Sequence, residues 1–161
     1  MTSKRAPAPP LVFVVDTREP PHTAWSFDGA PVVRRALAAG DYSVEGLETR
    51  VAIERKAAGD LVSTCTYGRE RFERELVKLA AYDRAVIIVE GDLESIIRWT
   101  YKGTTNPSAL VGSFASWFAR YNVATIFAGN AFNAAILARR FLEKAAKHLA
   151  PHPVEAEDAA G

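Results

Sequence analysis

The sequence reads Gly40-Asp41-Tyr42 and then, after a short segment, Val51-Ala52-Ile53-Glu54-Arg55-Lys56-Ala57-Ala58-Gly59-Asp60. The apolar run at 51–53 is typical of a buried strand. A turn near Gly46 can pair it with a preceding strand. These stretches therefore predict two paired strands, at about 41–45 and 48–56.

Three side chains of this strand pair form a candidate catalytic set: Asp41, Glu54 and Lys56. Side chains two residues apart on a strand point to the same face, so Glu54 and Lys56 should project together and Arg55 away from them. Pairing of the strands would bring the carboxylate of Asp41 beside that of Glu54. Two convergent carboxylates suit Mg²⁺ or Mn²⁺ better than Zn²⁺, which prefers His and Cys. A neighbouring lysine can orient a water molecule or neutralise charge on phosphoryl oxygens, so the set predicts phosphodiester hydrolysis.

The same residues resemble a known family signature. Gly40-Asp41, followed by Glu54-Arg55-Lys56 and Asp60, is similar to the G-D and E-R-K-x-x-x-D blocks of the XPF/Hef-type structure-specific DNA endonucleases. Val14-Val15-Asp16-Thr17-Arg18-Glu19 resembles the first strand of that family, and Tyr67-Gly68-Arg69 resembles a downstream block before a helix. The resemblance covers roughly residues 11–130. It implies an α/β fold of restriction-endonuclease type, a mixed central sheet flanked by helices, that cuts branched or flapped DNA with Mg²⁺, for which Mn²⁺ can substitute.

The resemblance also implies roles for residues outside the catalytic set. Asp16 and Glu19, at the end of the first strand, match acidic positions of the family site and are expected to contact metal or water, with Asp16 as a third metal ligand. A salt bridge with Arg18 or a turn cap is the alternative. Arg55 and Asp60 belong to the signature and count as catalytic candidates. Asp60 can equally cap the following helix or pair with Arg55.

Charge is informative through its distribution, since the formal net charge is only +1. An acidic pocket flanked by basic surface is what a metal nuclease needs to hold a polyanion. We expect DNA contacts from four arginines: Arg18, Arg69, Arg71 and Arg74. Arg69 is the preferred phosphate contact because a guanidinium binds phosphate oxygens in bidentate fashion. A solvated helix face with i,i+4 ion pairs is the alternative. Tyr67 is expected to pack rather than to stack on a base.

Hydrophobic periodicity and capping residues predict the remaining elements. The predicted strands lie at 11–15, 85–90 and 123–127. The predicted helices lie at 70–82, from the cap Asp92 to Trp99, from the cap Asn106 through Pro107 to about Arg120, and from the cap Asn130 to about Leu149. Residues 16–31 are predicted to form a loop, and 32–39 is either a short strand or a helix.

Length and composition fit a single domain. A chain of 161 residues with 48% apolar residues can bury a proper core, which we place at 11–149 as an XPF-type nuclease domain. Residues 1–10 are expected to form a disordered arm and residues 150–161 a flexible acidic tail. The single cysteine, Cys65, excludes an intramolecular disulfide and is expected to be a small buried thiol. With no export or membrane signal, we expect a cytoplasmic or nucleoid-associated protein with no membrane partner.

Partners follow from the resemblance and from one aromatic stripe. Members of the family usually carry a helix-hairpin-helix pair after the nuclease domain, and nothing in this sequence encodes one, so DNA affinity can come from a second protein. The stripe Phe114, Trp117, Phe118 and Tyr121 can be a partner surface, because apolar faces at helical spacing must be buried somewhere. We expect either a homodimer through the C-terminal helices or a heterodimer with a DNA-binding partner.

Two other functions remain open. The first is a catalytically silent family member that binds DNA or a partner nuclease as a scaffold, although a scaffold has no physical need for Asp41, Glu54 and Lys56 together. The second is a junction resolvase or restriction-like nuclease of the same broad fold. Arg55 and the block at 67–69 favour the structure-specific endonuclease over this second alternative.

Overall fold

A computed structural model describes residues 9–100 and 105–149, apart from the side chains at 99 and 100. Of the predicted arm, only Pro9 and Pro10 fall within the described residues, and the predicted tail at 150–161 lies outside them. The described residues form a six-stranded mixed sheet with helices on both faces. This confirms the predicted α/β architecture.

The strands lie in the order β2-β1-β3-β4-β5-β6 across the sheet. Their bounds are β1 (Phe13–Val15), β2 (Val32–Arg34), β3 (Tyr42–Val44), β4 (Val51–Ala57), β5 (Arg84–Glu90) and β6 (Ala124–Phe127). Strand β3 is antiparallel to both of its neighbours, whereas β4, β5 and β6 run parallel to one another. The carboxyl ends of these three strands therefore meet at one edge of the sheet, where ligand sites of α/β proteins commonly lie.

Within the described residues, five helices cover the sheet: α1 (Ala58–Cys65), α2 (Arg69–Ala80), α3 (Leu93–Thr100), α4 (Pro107–Tyr121) and α5 (Ala131–Leu149). The side chains of Asp92, Asn106 and Asn130 accept backbone hydrogen bonds of 2.7, 2.9 and 2.8 Å at the starts of α3, α4 and α5. Each carboxylate or amide oxygen satisfies an N–H group that has no partner within its helix. The three predicted caps are confirmed.

Two apolar clusters hold the layers together. Helices α1 to α4 pack on one face of the sheet, through buried residues such as Leu61, Leu76 and Leu110. Helix α5 and the long loop after β1 pack on the other face, through Ala138, Leu142, Trp25 and Phe27. In the described parts of the chain, no helix is long and apolar enough to cross a membrane.

Several local predictions change in the structure. Helix α1 was not predicted, and strand β4 begins at Val51 rather than at 48. The ambiguous segment at 32–39 contributes the short edge strand β2. In the aromatic stripe of α4, Phe114 and Trp117 are buried in the core, and only Phe118 is largely exposed, at 57%. Most of the predicted partner surface is therefore core.

The lone cysteine behaves as expected. Cys65 is buried at the end of α1, and burial raises the pKa of its thiol to about 11. It is therefore a protonated, inert thiol at neutral pH.

Candidate active site

Gly40 sets the direction in which the chain enters β3. Its φ is +74°, and a Cβ atom placed there would lie 3.0 Å from the Cβ of Ala52 and 3.0 Å from the carbonyl oxygen of Ile53. A larger residue would be strained by both the backbone conformation and the close approach of β4. Asp41 follows immediately, and its N–H donates a 2.7 Å hydrogen bond to the carbonyl of Ile53. The Gly40-Asp41 turn thus fixes Asp41 against β4.

The carboxylate of Asp41 lies beside Glu54. Its Oδ2 accepts a 2.8 Å hydrogen bond from the backbone N–H of Arg55, the residue after Glu54. The pKa of Asp41 is raised from 3.8 to about 8, first because burial disfavours its charge and second because the Glu54 carboxylate repels it. The two acids therefore form one electrostatically coupled pair.

Glu54 and Lys56 project from the same face of β4, as the strand alternation predicts. The Nζ of Lys56 lies 2.9 Å from Oε1 of Glu54 and 4.6 Å from the centre of the Phe72 ring. Glu54 is only 9% exposed, and burial raises its pKa, although Lys56 opposes that shift. The lysine is thus held between a carboxylate and an aromatic face.

These side chains open into a cleft between the sheet and α2. A cavity of about 390 Å³ is lined by Arg18, Glu19, Gly40, Asp41, Glu54, Lys56, Thr64, Gly68, Arg71, Phe72 and Glu75. A second cavity, of about 520 Å³, borders it and is lined by Lys56, Asp60, Ser63, Thr64, Tyr67, Gly68 and Arg71. We call the first the acidic cleft and the second the side cavity. Four residues line both, so the two spaces adjoin.

The donor set of the acidic cleft fits a hard divalent cation. Asp41 and Glu54 supply carboxylate oxygens, and a cation would relieve the repulsion that raises the pKa of Asp41. Within the described residues, no three or more His, Cys, Asp and Glu side chains are grouped so as to hold a metal ion. Mg²⁺ commonly uses one or two carboxylates and keeps several waters, so a two-carboxylate site suits it.

The carboxylate of Asp16 is hydrogen-bonded within the protein. It is fully buried, and its carboxylate accepts hydrogen bonds of 2.8 and 2.7 Å from the backbone N–H and Nε of Arg18 and one of 2.7 Å from the N–H of Leu37. Burial alone would raise the pKa of Asp16, but these hydrogen bonds outweigh it and lower that pKa. The alternative salt bridge is what the structure shows, and the predicted metal contact has no support in this geometry.

Arg55 points away from the acidic cleft, as the alternation predicts, and is locked between two carboxylates. Its Nη1 lies 2.8 Å from Oε2 of Glu19, and its Nε lies 2.8 Å from Oε1 of Glu90. Tyr42 and Trp25 also donate to these two glutamates, at 2.7 and 2.6 Å respectively. These two ion pairs give Arg55 a positioning role, and its expected catalytic role stays a prediction.

Glu19 and Asp60 border the two cavities in different ways. Glu19 lines the acidic cleft, and its charge contributes to the raised pKa of Asp41, while its expected contact with metal or water stays a prediction. Asp60 lies in the first turn of α1, whose N-cap is Ala57. It is neither that cap nor the partner of Arg55, and it lines the side cavity instead.

The four predicted DNA-binding arginines separate into two groups. Arg18 and Arg71 line the acidic cleft, and the Arg18 side chain is 70% exposed. Arg69 is exposed, and its guanidinium donates to the carbonyl of Cys65 and, at 3.1 Å, to Oγ of Ser113. These hydrogen bonds favour a structural role for Arg69, and its predicted phosphate contact stays a prediction. Arg74 is exposed on α2 and is not among the residues that line either cavity.

Sequence reasoning did not place Thr64, Phe72 or Glu75 in the acidic cleft. Glu75 reaches it from α2, pairs with Lys78 at 2.7 Å, and raises the pKa of Glu54 through its charge. Phe72 supplies the aromatic face over which Lys56 lies. A signal was present, because Arg71 and Glu75 are four residues apart and share a face of α2. The sequence did not show that this face of α2 turns toward β4.

Two solved structures have a similar fold. One is XPF from Aeropyrum pernix, with a TM-score of 0.64 and 20% identity over 83% of this chain. The other is XPF from Aeropyrum pernix in complex with DNA, with a TM-score of 0.67 and 21% identity over 87% of this chain. This chain spans 60% and 66% of those two chains. At these identities the likeness shows the fold. No curated protein matches the sequence significantly.

The architecture and the paired acids thus define the class: an α/β domain of XPF nuclease type. The family model described as the ERCC4 domain matches residues 15–139, most of the chain. The chain belongs to the ERCC4 domain family, which confirms the resemblance inferred from the Gly40-Asp41 and Glu54-Arg55-Lys56 blocks.

Proposed function

We propose that this chain is a metal-dependent, structure-specific endonuclease that hydrolyses phosphodiester bonds in branched or flapped DNA. The observation that carries the proposal is the convergence of Asp41, Glu54 and Lys56 in one open cleft. A scaffold gains nothing from two coupled, buried carboxylates, because each costs stability unless a ligand or partner compensates its charge. Membership of the ERCC4 family supports the same activity.

Asp41 and Glu54 would hold the metal, which we propose to be Mg²⁺ with Mn²⁺ as a substitute. A bound Mg²⁺ would supply Lewis-acid stabilisation of the charge that develops on the phosphate. The backbone N–H of Arg55 orients Asp41, at 2.8 Å, and so keeps one ligand in place before any metal arrives. Pre-arranged ligands of this kind lower the reorganisation needed when the ligand binds.

Lys56 is the group that we assign to the chemistry itself. In the hydrolysis, a water oxygen attacks phosphorus, the P–O bond to one sugar breaks, and the departing sugar oxygen takes up a proton. The Lys56 ammonium, held 2.9 Å from Glu54, can orient the attacking water and can neutralise charge on the phosphoryl oxygens. Its contact with Phe72 limits the positions its Nζ can occupy.

Arg18 and Arg71 are the proposed DNA contacts. Both line the acidic cleft, where phosphates flanking the scissile bond would otherwise be repelled by the carboxylates. The similar XPF structure in complex with DNA supports a nucleic-acid ligand. A DNA substrate implies action in the cytoplasm or nucleoid.

Incubation of the pure protein with labelled flap, fork, four-way junction and linear duplex DNA, in Mg²⁺ or in EDTA, tests the proposal. Cleavage of flaps or forks that requires Mg²⁺, with the four-way junction and duplex left intact, is expected. Binding without cleavage would support the scaffold, and cleavage of the junction or of one duplex sequence would indicate the other nuclease class. Asp41→Asn is the control for a contaminating nuclease.

We also propose that a second copy of the chain covers the exposed apolar residues of its C-terminal part. Phe118 on α4 and Ile126 on β6 are 57% and 36% exposed. Strand β6 is an edge of the sheet, and the Oγ1 of Thr125 is buried with no hydrogen-bond partner among the described residues. Such an edge can meet its own two-fold copy. Light scattering should report a dimer that Phe118→Asp dissociates; a monomeric wild type would leave a heterodimer as the alternative.

A further inference from the structure

One aromatic side chain is left almost wholly in water at the border of the proposed active site. Tyr67 lies in the loop between α1 and α2, and it is 98% exposed, the most exposed large hydrophobic residue of those described. The sequence suggested that it would pack. A tyrosine ring usually buries its apolar faces, so a ring presented in full to solvent is free to receive a flat ligand.

The loop that carries Tyr67 is held firmly on both sides. The N–H of Gly68 donates a 2.9 Å hydrogen bond to the carbonyl of Ser63, and the Oγ1 of Thr66 donates one of 3.0 Å to the carbonyl of Val62. Arg69 then clamps the end of α1 through the carbonyl of Cys65. A ring on so constrained a turn loses little backbone freedom when a ligand binds.

Tyr67 lines the side cavity, which adjoins the acidic cleft. Lys56 and Arg71 lie at the boundary and line both spaces, whereas Asp60 and Ser63 line the side cavity alone. The carboxylate of Asp60 disfavours a phosphate there, but it can accept a hydrogen bond from an amino group of a nucleobase. These side chains thus suit a phosphate at the boundary between the two spaces and a nucleobase in the side cavity.

We propose that Tyr67 stacks on an unpaired nucleobase next to the scissile phosphate, with that base seated in the side cavity. Tyr67 is thereby a specificity-determining residue. A base within duplex DNA is already stacked on both faces, and offering one of its faces to Tyr67 would require its removal from the helix. An unpaired nucleotide offers a free face at no such cost. This inference rests on the proposed nuclease function and names the feature of a branch that the site would recognise.

The experiment combines three Tyr67 variants with an abasic scan of the substrate. Tyr67→Phe keeps the ring, Tyr67→Leu keeps apolar bulk without an aromatic face, and Tyr67→Ala removes both. Affinity for a labelled fork is measured by fluorescence anisotropy with Ca²⁺ in place of Mg²⁺, and cleavage rates are measured in Mg²⁺. Single abasic sites replace each unpaired nucleotide near the cut in turn, and a fully paired duplex serves as the reference substrate.

For the fork, we expect Tyr67→Ala and Tyr67→Leu to weaken binding about 10-fold and Tyr67→Phe to change it by less than about 2-fold. At one position, an abasic site should weaken wild-type binding about 10-fold as well. The same abasic site should not weaken binding by Tyr67→Ala, since that variant has already lost the contact between ring and base. Binding to the duplex should not respond to Tyr67. Melting temperatures should be equal for all four proteins, because the side chain is 98% exposed.

Three results would each overturn the stacking role. Tyr67→Ala could bind the fork with wild-type affinity, or it could lose as much affinity for the duplex as for the fork. The third is that Tyr67→Ala binds more weakly than wild type whichever nucleotide is made abasic. These outcomes leave the proposed nuclease activity intact as long as the wild type still cuts the fork. A wild type that neither binds nor cuts any branched DNA would instead overturn the nuclease proposal, and the role of Tyr67 with it.

Discussion

The backbone N–H of Arg55 donates a hydrogen bond of 2.8 Å to Oδ2 of Asp41. Arg55 lies between Glu54 and Lys56, so one short segment of β4 presents two side chains of the proposed catalytic set to the acidic cleft and holds the third, Asp41, through its main chain. A slip of one residue between β3 and β4 would turn Glu54 and Lys56 to the opposite face. The site therefore depends on the Tyr42 to Ile53 register of these strands.

Replacing either carboxylate should abolish most metal-dependent cleavage. Asp41→Asn and Glu54→Gln keep shape but lose ligand charge, and since metal coordination supplies several kcal/mol of charge stabilisation, we expect a loss of at least about 100-fold in rate. Circular dichroism should show an unchanged fold. Wild-type rates in either variant would contradict the site assignment.

In the absence of metal, stability should fall as the pH rises. The pKa of Asp41 is raised from 3.8 to about 8 in the folded protein, so between these values the folded state holds a proton that the unfolded state has lost. The free energy of unfolding therefore decreases as the pH rises through this window. Melting curves in EDTA from pH 5 to 9 measure the effect.

The Asn variant and Mg²⁺ provide matched checks of this pH effect. At pH 9 in EDTA, Asp41→Asn should melt about 4 °C or more above wild type, because it removes the buried charge. Adding Mg²⁺ should raise the wild-type melting temperature more at pH 9 than at pH 6 and should affect the Asn variant little. Parallel curves for the two proteins across the whole range would refute the coupling.

Lys56 should serve chemistry more than binding. Lys56→Ala is expected to lower the single-turnover rate at saturating DNA by about 100-fold, as is usual when a positioned proton-transfer or charge-stabilising group is lost, with little change in affinity. Lys144→Ala is the matched control, because Lys144 is an exposed lysine on α5, outside both cavities. A large loss of affinity at an unchanged rate would instead make Lys56 a phosphate anchor.

Arg71 and Arg69 should give opposite results. Arg71→Ala removes a charge from the cleft, so it should weaken binding to all DNA sequences and reduce the salt slope by about 0.9. Arg69→Ala removes partly buried hydrogen bonds to Cys65 and Ser113 and should cost about 1–2 kcal/mol of stability. Binding titrations at several salt concentrations and urea unfolding distinguish the two. If Arg69→Ala weakened DNA binding and Arg71→Ala lowered the stability instead, Arg69 would be the phosphate contact.

Loss of the Arg55 side chain should be a severe stability defect. Arg55→Met leaves the Glu19 and Glu90 carboxylates, each 12% exposed, without their cationic partner, which typically costs about 3–5 kcal/mol. Arg50→Met is the matched control, since the Arg50–Asp83 pair is about half exposed and should contribute less than about 1 kcal/mol. Equal urea midpoints for the two variants would disprove the positioning role.

Much of the fold could be predicted because its signals are local. The caps at Asp92, Asn106 and Asn130 act within one helical turn, and the buried strand β5 is an unbroken apolar run. Helix α1 was not predicted, since its eight residues, AGDLVSTC, include a glycine and several poor helix formers. Its stability comes from packing Leu61 into the core, which a short window does not reveal.

In the candidate site, too, local signals predicted some features and long-range contacts determined the others. Alternation along β4 correctly gave the directions of Glu54, Arg55 and Lys56, because strand geometry is a property of the backbone. The partners of Arg55 could not be predicted: Glu19 and Glu90 lie far from it in sequence and meet it only through the sheet. Tyr67 was assigned to packing on the usual behaviour of tyrosine, and only the three-dimensional structure shows its ring in solvent.

Strand β4 runs into α1 without a loop, because Ala57 is both the last residue of the strand and the N-cap of the helix. An engineered insertion at this junction would shift Lys56, on β4, relative to Tyr67, in the turn after α1. The turn at 45–50 joins the other ends of β3 and β4, and Gly46 there has open space around it. A module fused at this turn would therefore lie at the end of the strand pair away from Asp41, Glu54 and Lys56, and would leave the proposed site clear.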